Sequence, residues 1–165
     1  MTSTVLDEAL KKAALAWISV GDGPALGLWV MPLDGTLIAV SGPGEQFAPA
    51  LAEASRATVR LRGDNGALIV IDEMVVARLT PGTEEWAEVA PQLAAKRLNA
   101  SGSADDVVAR WASSGCAVVR LTPVPDEVPI SAPDLPCGSG AAEPRDTPAR
   151  VETRKPFRLH RVKRR

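Results

Sequence analysis

Residues 25–41 read ALGLWVMPLDGTLIAVS. Two apolar runs flank Asp34-Gly35, a dipeptide suited to the positive φ angles of a tight hairpin turn. The pattern therefore predicts strands over 25–31 and 36–41, paired antiparallel. Side chains alternate along a strand, so Trp29 faces away from Leu28 and Val30. Upstream, Gly21-Asp22-Gly23-Pro24 marks another turn and 14–20 another strand. Ser3 or Thr4 can cap a helix before it. Leu6, Ala9, Leu10 and Ala13 form its apolar stripe, and Asp7, Glu8, Lys11 and Lys12 are ordered to suit the helix dipole.

Downstream, Gly42-Pro43-Gly44 breaks the third strand, and 47–54 reads as a short helix. Residues 57–62, ATVRLR, alternate cleanly, with Val59 and Leu61 on one face and Thr58, Arg60 and Arg62 on the other. A turn at Gly63-Asp64-Asn65-Gly66 leads into a long strand over 67–79. Its apolar stretch from Leu68 to Ile71 predicts burial on both faces: a barrel wall that also meets another element or subunit. Asp72-Glu73 interrupts that strand and predicts a bend or a rim rather than an acid/base pair. Thr83 and Ser103 each cap a helix. Pro91 inside the first predicts a kink or two short helices. Trp86 and Trp111 sit on the apolar faces as core anchors. Residues 116–122 are a sixth strand, with Cys116 a small buried hydrophobe.

Strands joined by tight turns pair antiparallel, and six of this length close as a small barrel with helices outside. The expected class is mainly β with flanking helices. Strands and helices do not alternate and no phosphate-loop motif follows the first strand, which argues against a doubly wound parallel sheet.

The chain has 165 residues, 45% hydrophobic and 24% charged, enough for one core. Its one His lies at position 160, sixth from the end in a basic segment, so a His-based nucleophile triad has no base in the body. Two Cys and no usable His leave no zinc site, and none is expected for any other metal. Acid/base work falls to carboxylates, Lys or Cys, or the chemistry belongs to a cofactor. Residues 1–149 carry a balance of −8, and Arg150 to Arg165 one of +7. Eight of the 14 Pro lie in 123–156, so the expected organisation is a body over 1–123, a linker over 124–149 and a basic tail over 150–165. No signal peptide or membrane-length apolar run is present, and a cytoplasmic protein is expected.

Over residues 4–123 the order of elements resembles the flavin-binding split-barrel superfamily, the pyridoxamine-phosphate-oxidase-like proteins. The similar stretches are LWVMPLDGTLIAVSG, GPGEQFAPALAEASRATVRLR, ALIVIDEMVVARL and PGTEEWAEVAPQLAAKRLN. More narrowly, the Gly-x-Gly-Glu-Gln loop at 42–46 is similar to that of an uncharacterised bacterial subgroup. The resemblance implies a six-stranded antiparallel split β-barrel that pairs as a homodimer. It also implies flavin mononucleotide (FMN) or a deazaflavin at the interface, passing a hydride to or from a small substrate. The candidate cofactor contacts are Trp29, Ser41, Gly42, Gly44, Gln46, Arg60 and Arg62; no catalytic residue is assigned.

One departure stands out. Where the family places Lys or Arg against the cofactor phosphate, this chain has Glu45, Gln46 and Phe47. A carboxylate facing a phosphate costs about 1 kcal/mol at a wet surface. Three substitutes are open: an N–H nest around Gly42 and Gly44, a clamp by Arg60 and Arg62, or the tail folded across the dimer. The nest has a plain turn as its alternative, and the clamp a solvated barrel face. The function expected is a flavin- or deazaflavin-dependent oxidoreductase. Its alternative is a cofactor-free dimer that binds or scaffolds, with Arg150 to Arg165 touching nucleic acid through phosphate charge alone.

Overall fold

Asp34 and Gly35 both take positive φ, 47° and 73°, the turn their sequence predicts. They join the central hairpin of a fold seen in a computed structural model, which describes residues 4–63, 68–97, 100–125 and 130–132. In chain order these form α1 (Thr4–Lys12), β1 (Leu15–Ser19), β2 (Leu26–Leu33), β3 (Thr36–Ser41), a 3-10 turn (Pro49–Ala52), β4 (Arg56–Arg62), β5 (Leu68–Leu79), α2 (Glu84–Ala95), α3 (Ala104–Ser113), β6 (Ala117–Pro123) and β7 (Ile130–Ala132). β1 pairs with β2, β2 with β3, β3 with β6, β6 with β5, and β5 with β4. β4 then returns to β1. Every pairing is antiparallel, so the six strands close into the predicted barrel. All of them lie within the unit Met1–Leu135.

Side-chain parity divides the core in two. Leu37 and Ala39 of β3, with Ala117, Val119 and Leu121 of β6, point into the barrel. Ile38, Val40 and Val118 point outward, under Trp86, Val89, Leu93 and Trp111 of the helices. β3 is therefore buried at all six positions, more completely than β5, where two-faced burial was expected. In β5 Ile69, Val70 and Ile71 are indeed buried, and Asp72 is exposed. At that point the register with β4 shifts, from Val59↔Ile71 to Ala57↔Met74. Thr58 alone opposes Asp72 and Glu73, and its hydroxyl donates to the Asp72 carbonyl at 3.0 Å. The extra residue is a β-bulge. It resets the alternation, so that Ile69 and Ile71 on one side of it, and Met74 and Val76 on the other, all face the interior.

α1 seals the barrel with Leu6 and Leu10, 0% and 1% exposed. A kink or two short helices was expected at Pro91; α2 runs through it as one helix, so of the two the division does not occur. Ser103 caps α3 in a full capping box with Asp106. Only a 3-10 turn forms within 47–54, where a short helix was expected. β7 pairs with β5 at Leu68, Ile69 and Val70, inside the stretch read as linker. The tail from Arg150 to Arg165 lies outside the described residues, as does Cys137. Among the described residues no helix is long and apolar enough to cross a membrane.

Candidate functional site

The loop after β3 is closed on itself. The Gly42 N–H donates to the Gln46 carbonyl at 3.3 Å, and the Glu45 N–H to the Gly42 carbonyl at 3.0 Å. Gly42 has φ +146°, and a Cβ there would stand 2.9 Å from the Cys116 Cα, so only glycine fits. This geometry turns Glu45 inward. Its side chain is 2% exposed and forms an ion pair with Arg97, just beyond α2. Its other oxygen accepts from Trp111 Nε1 at 2.8 Å. Burial, and then the nearby Glu45 carboxylate, push the Cys116 thiol pKa up.

Gln46 points the other way. The β2–β3 ladder runs from Leu33↔Thr36 to Val30↔Ala39. Beyond it Gln46 Oε1 accepts from the Trp29 N–H at 2.7 Å, and Gln46 Nε2 donates to the Gly27 carbonyl at 3.0 Å. The amide stands in for one further strand residue. Consecutive residues thus hold two separate walls: Glu45 holds the end of α2, and Gln46 holds β2 at Trp29.

Between those walls lies a cleft of about 410 Å³. The end of α1 contributes Lys11 and Lys12; β2 contributes Trp29 and Met31; the end of α2 contributes Lys96 and Arg97. None of the described lining residues is acidic. Trp29 is 55% exposed and Phe47 is 77% exposed, although both are large apolar groups. Four cations, an open indole and an apolar floor suit a ligand with a flat ring and an anionic handle. This volume falls within the range of ordinary small-molecule sites, about 300–1,000 Å³.

Of the residues singled out from sequence, Trp29 lines this cleft, and Gln46 holds its backbone. Gly42 and Gly44 shape the loop. The Gly42 and Glu45 N–H groups are already engaged within it. Ser41 is buried, and its Oγ accepts from the Ala48 N–H at 2.7 Å. Arg60 donates to Ser19 Oγ at 3.0 Å, and Arg62 lies over the Trp17 ring at 5.9 Å. Arg62 and Trp17 line a smaller hollow of about 290 Å³ that shares Lys12, Ala13 and Ala14 with the cleft. Lys11, Lys12, Lys96 and Arg97 were not singled out. Lys11 and Lys12 were read only as cations suited to the end of their helix, Lys96 and Arg97 were given no role, and nothing local signals that two helix ends converge. Among the described residues no three His, Cys, Asp or Glu side chains group as metal ligands would.

No family model matches the chain, and no curated protein matches it in sequence. Among solved structures it is similar to an FAD-binding protein from Mesorhizobium loti, at 17% identity and a TM-score of 0.44, over 73% of this chain and 85% of that one. It is also similar to a provisionally named pyridoxamine 5'-phosphate oxidase from Listeria innocua, at 16% identity and a TM-score of 0.46, over 70% of this chain and 87% of that one.

Proposed function

We propose that this chain is a flavin-binding split-barrel protein that takes FMN or a deazaflavin in the Trp29 cleft and serves a redox reaction on a small molecule. One observation carries the reading: an exposed indole and four cations face one apolar-floored cleft with no acidic lining among the described residues. Trp29 offers a flat face for a ring, and Met31 lies in the wall beside it. Lys11 and Lys96, at the ends of α1 and α2, offer charge to a phosphate. A bound flavin would supply the hydride chemistry, leaving the chain to bind, orient and exclude water. The resemblance of residues 4–123 points the same way.

The case for a cofactor-free scaffold rested on an acid where a phosphate would sit. Glu45 is turned inward and held by Arg97 and Trp111, so it presents no carboxylate to the cleft. We further propose that a second copy covers Trp29 and Phe47, because exposed aromatics this close to a clamped strand edge favour burial against a partner.

The test is the visible spectrum of the purified chain, followed by titration with FMN and with a deazaflavin. We expect a bound chromophore, or a dissociation constant of about micromolar order for one of the two. A colourless protein that binds neither at that level contradicts the reading. Stoichiometric flavin in the purified protein excludes the scaffold alternative.

A further inference from the structure

We propose that Glu45 determines the charge specificity of the cleft. It is a positioning residue that holds Arg97 and mutes its charge, leaving the ammonium groups of Lys11 and Lys96 to select an anionic handle. The identity of that ligand rests on the flavin reading above; the charge balance does not.

The asymmetry of the pair is the starting point. Glu45 is 2% exposed and Arg97 21% exposed. Both carboxylate oxygens are used, one by Arg97 and one by Trp111 Nε1. Arg97 lines the cleft, and its guanidinium is paired with the buried Glu45 carboxylate. Arg97 Nε is buried with no partner among the described residues. Lys11 and Lys96 are exposed and line the same cleft.

Glu45→Gln keeps the shape and an accepting oxygen but removes the negative charge. Arg97 then becomes an uncompensated cation in the cleft wall. An entering anion supplies the partner that the protein no longer does. Loss of Glu45 should therefore sharpen selection for a phosphate. A purely structural role predicts the reverse: the cleft loosens, and ligands with and without a phosphate weaken together.

The experiment uses the full chain and three probes. FMN and riboflavin share a ring and differ in the phosphate, and inorganic phosphate carries the charge alone. We expect E45Q to raise the preference for FMN over riboflavin about five- to tenfold, and to enlarge the rise in thermal midpoint caused by inorganic phosphate. The double variant E45Q/R97Q should return that preference to within about twofold of wild type. An unchanged or reduced preference in E45Q, or an unchanged phosphate shift, overturns the proposal.

Lys96→Gln tests the same claim from the exposed side, where folding is not at stake. It should cut the FMN preference at least about fivefold, and an unchanged preference overturns the proposal even if E45Q fails to fold. If wild type binds neither flavin, the flavin reading falls and the phosphate arm alone decides the role of Glu45. If wild type binds flavin and E45Q changes nothing, the flavin reading stands and this inference falls.

Discussion

At Gly42 a backbone angle and a packing contact make the same demand. Its φ is +146°, and any Cβ would meet the Cys116 backbone at 2.9 Å. Gly44 shares the positive φ, 77°, but has nothing within 4 Å of a Cβ. Gly42→Ala should therefore cost about 2–4 kcal/mol and Gly44→Ala about 1 kcal/mol, measured by denaturant unfolding. Equal costs would mean that the contact with Cys116 is unimportant. At this scale the sequence was only partly legible. Trp29 could be placed on the face opposite Leu28 and Val30, since alternation is a property of neighbours. Trp111 was legible as a core anchor, but not as a donor to Glu45, 66 positions away. Glu45 was read as facing a phosphate because its partners Arg97 and Trp111 come from helices folded over the loop. The inward turn relieves the expected repulsion without any change of residue.

Among the elements, α1 and α3 carry separable predictions. α1 fills the barrel end with Leu6 and Leu10 and ends in Lys11 and Lys12 at the cleft. Leu10→Ala should destabilise the fold by about 2–5 kcal/mol, as for other large-to-small core changes. It should also weaken FMN binding, because the wall carrying Lys11 loses its anchor. Undiminished affinity in the folded variant would uncouple α1 from the site. In α3, hydrogen bonds from the Ser103 side chain and backbone hold the Asp106 carboxyl below its ordinary pKa. A lowered folded-state pKa means that the contribution is present above the unfolded carboxyl's value and lost as pH falls through the folded one. Ser103→Ala should lower the unfolding midpoint at neutral pH, and the gap from wild type should narrow in acid. A gap that does not depend on pH would show that the capping box acts without the carboxylate. The strands were legible because turn dipeptides and period-two alternation are local. β7 was not, since three residues in a Pro-rich stretch carry no period. The bulge at Asp72-Glu73 was visible as an interruption. Its use, resetting parity so that Ile71 and Met74 share an interior, needed the partner strand.

Across the whole molecule, closure of the barrel sets the site. α1 caps the interior, α2 and α3 lie over the outer faces of β3 and β6, and the ends of α1 and α2 meet across β2. Residues 1–149 carry a balance of −8, yet this cleft gathers Lys11, Lys12, Lys96 and Arg97. Local charge therefore opposes the balance of residues 1–149, which suits an anionic small molecule better than general attraction does. The most direct test compares two charge reversals of equal net effect in FMN titrations at fixed ionic strength. Lys96→Glu acts inside the cleft. Arg78→Glu acts on an exposed arginine that lies 3.8 Å from Glu53 and is not among the residues lining the cleft. The account predicts that Lys96→Glu weakens FMN at least about tenfold while Arg78→Glu stays within about twofold of wild type. Equal losses from both, or no FMN binding by the wild-type chain, would contradict it.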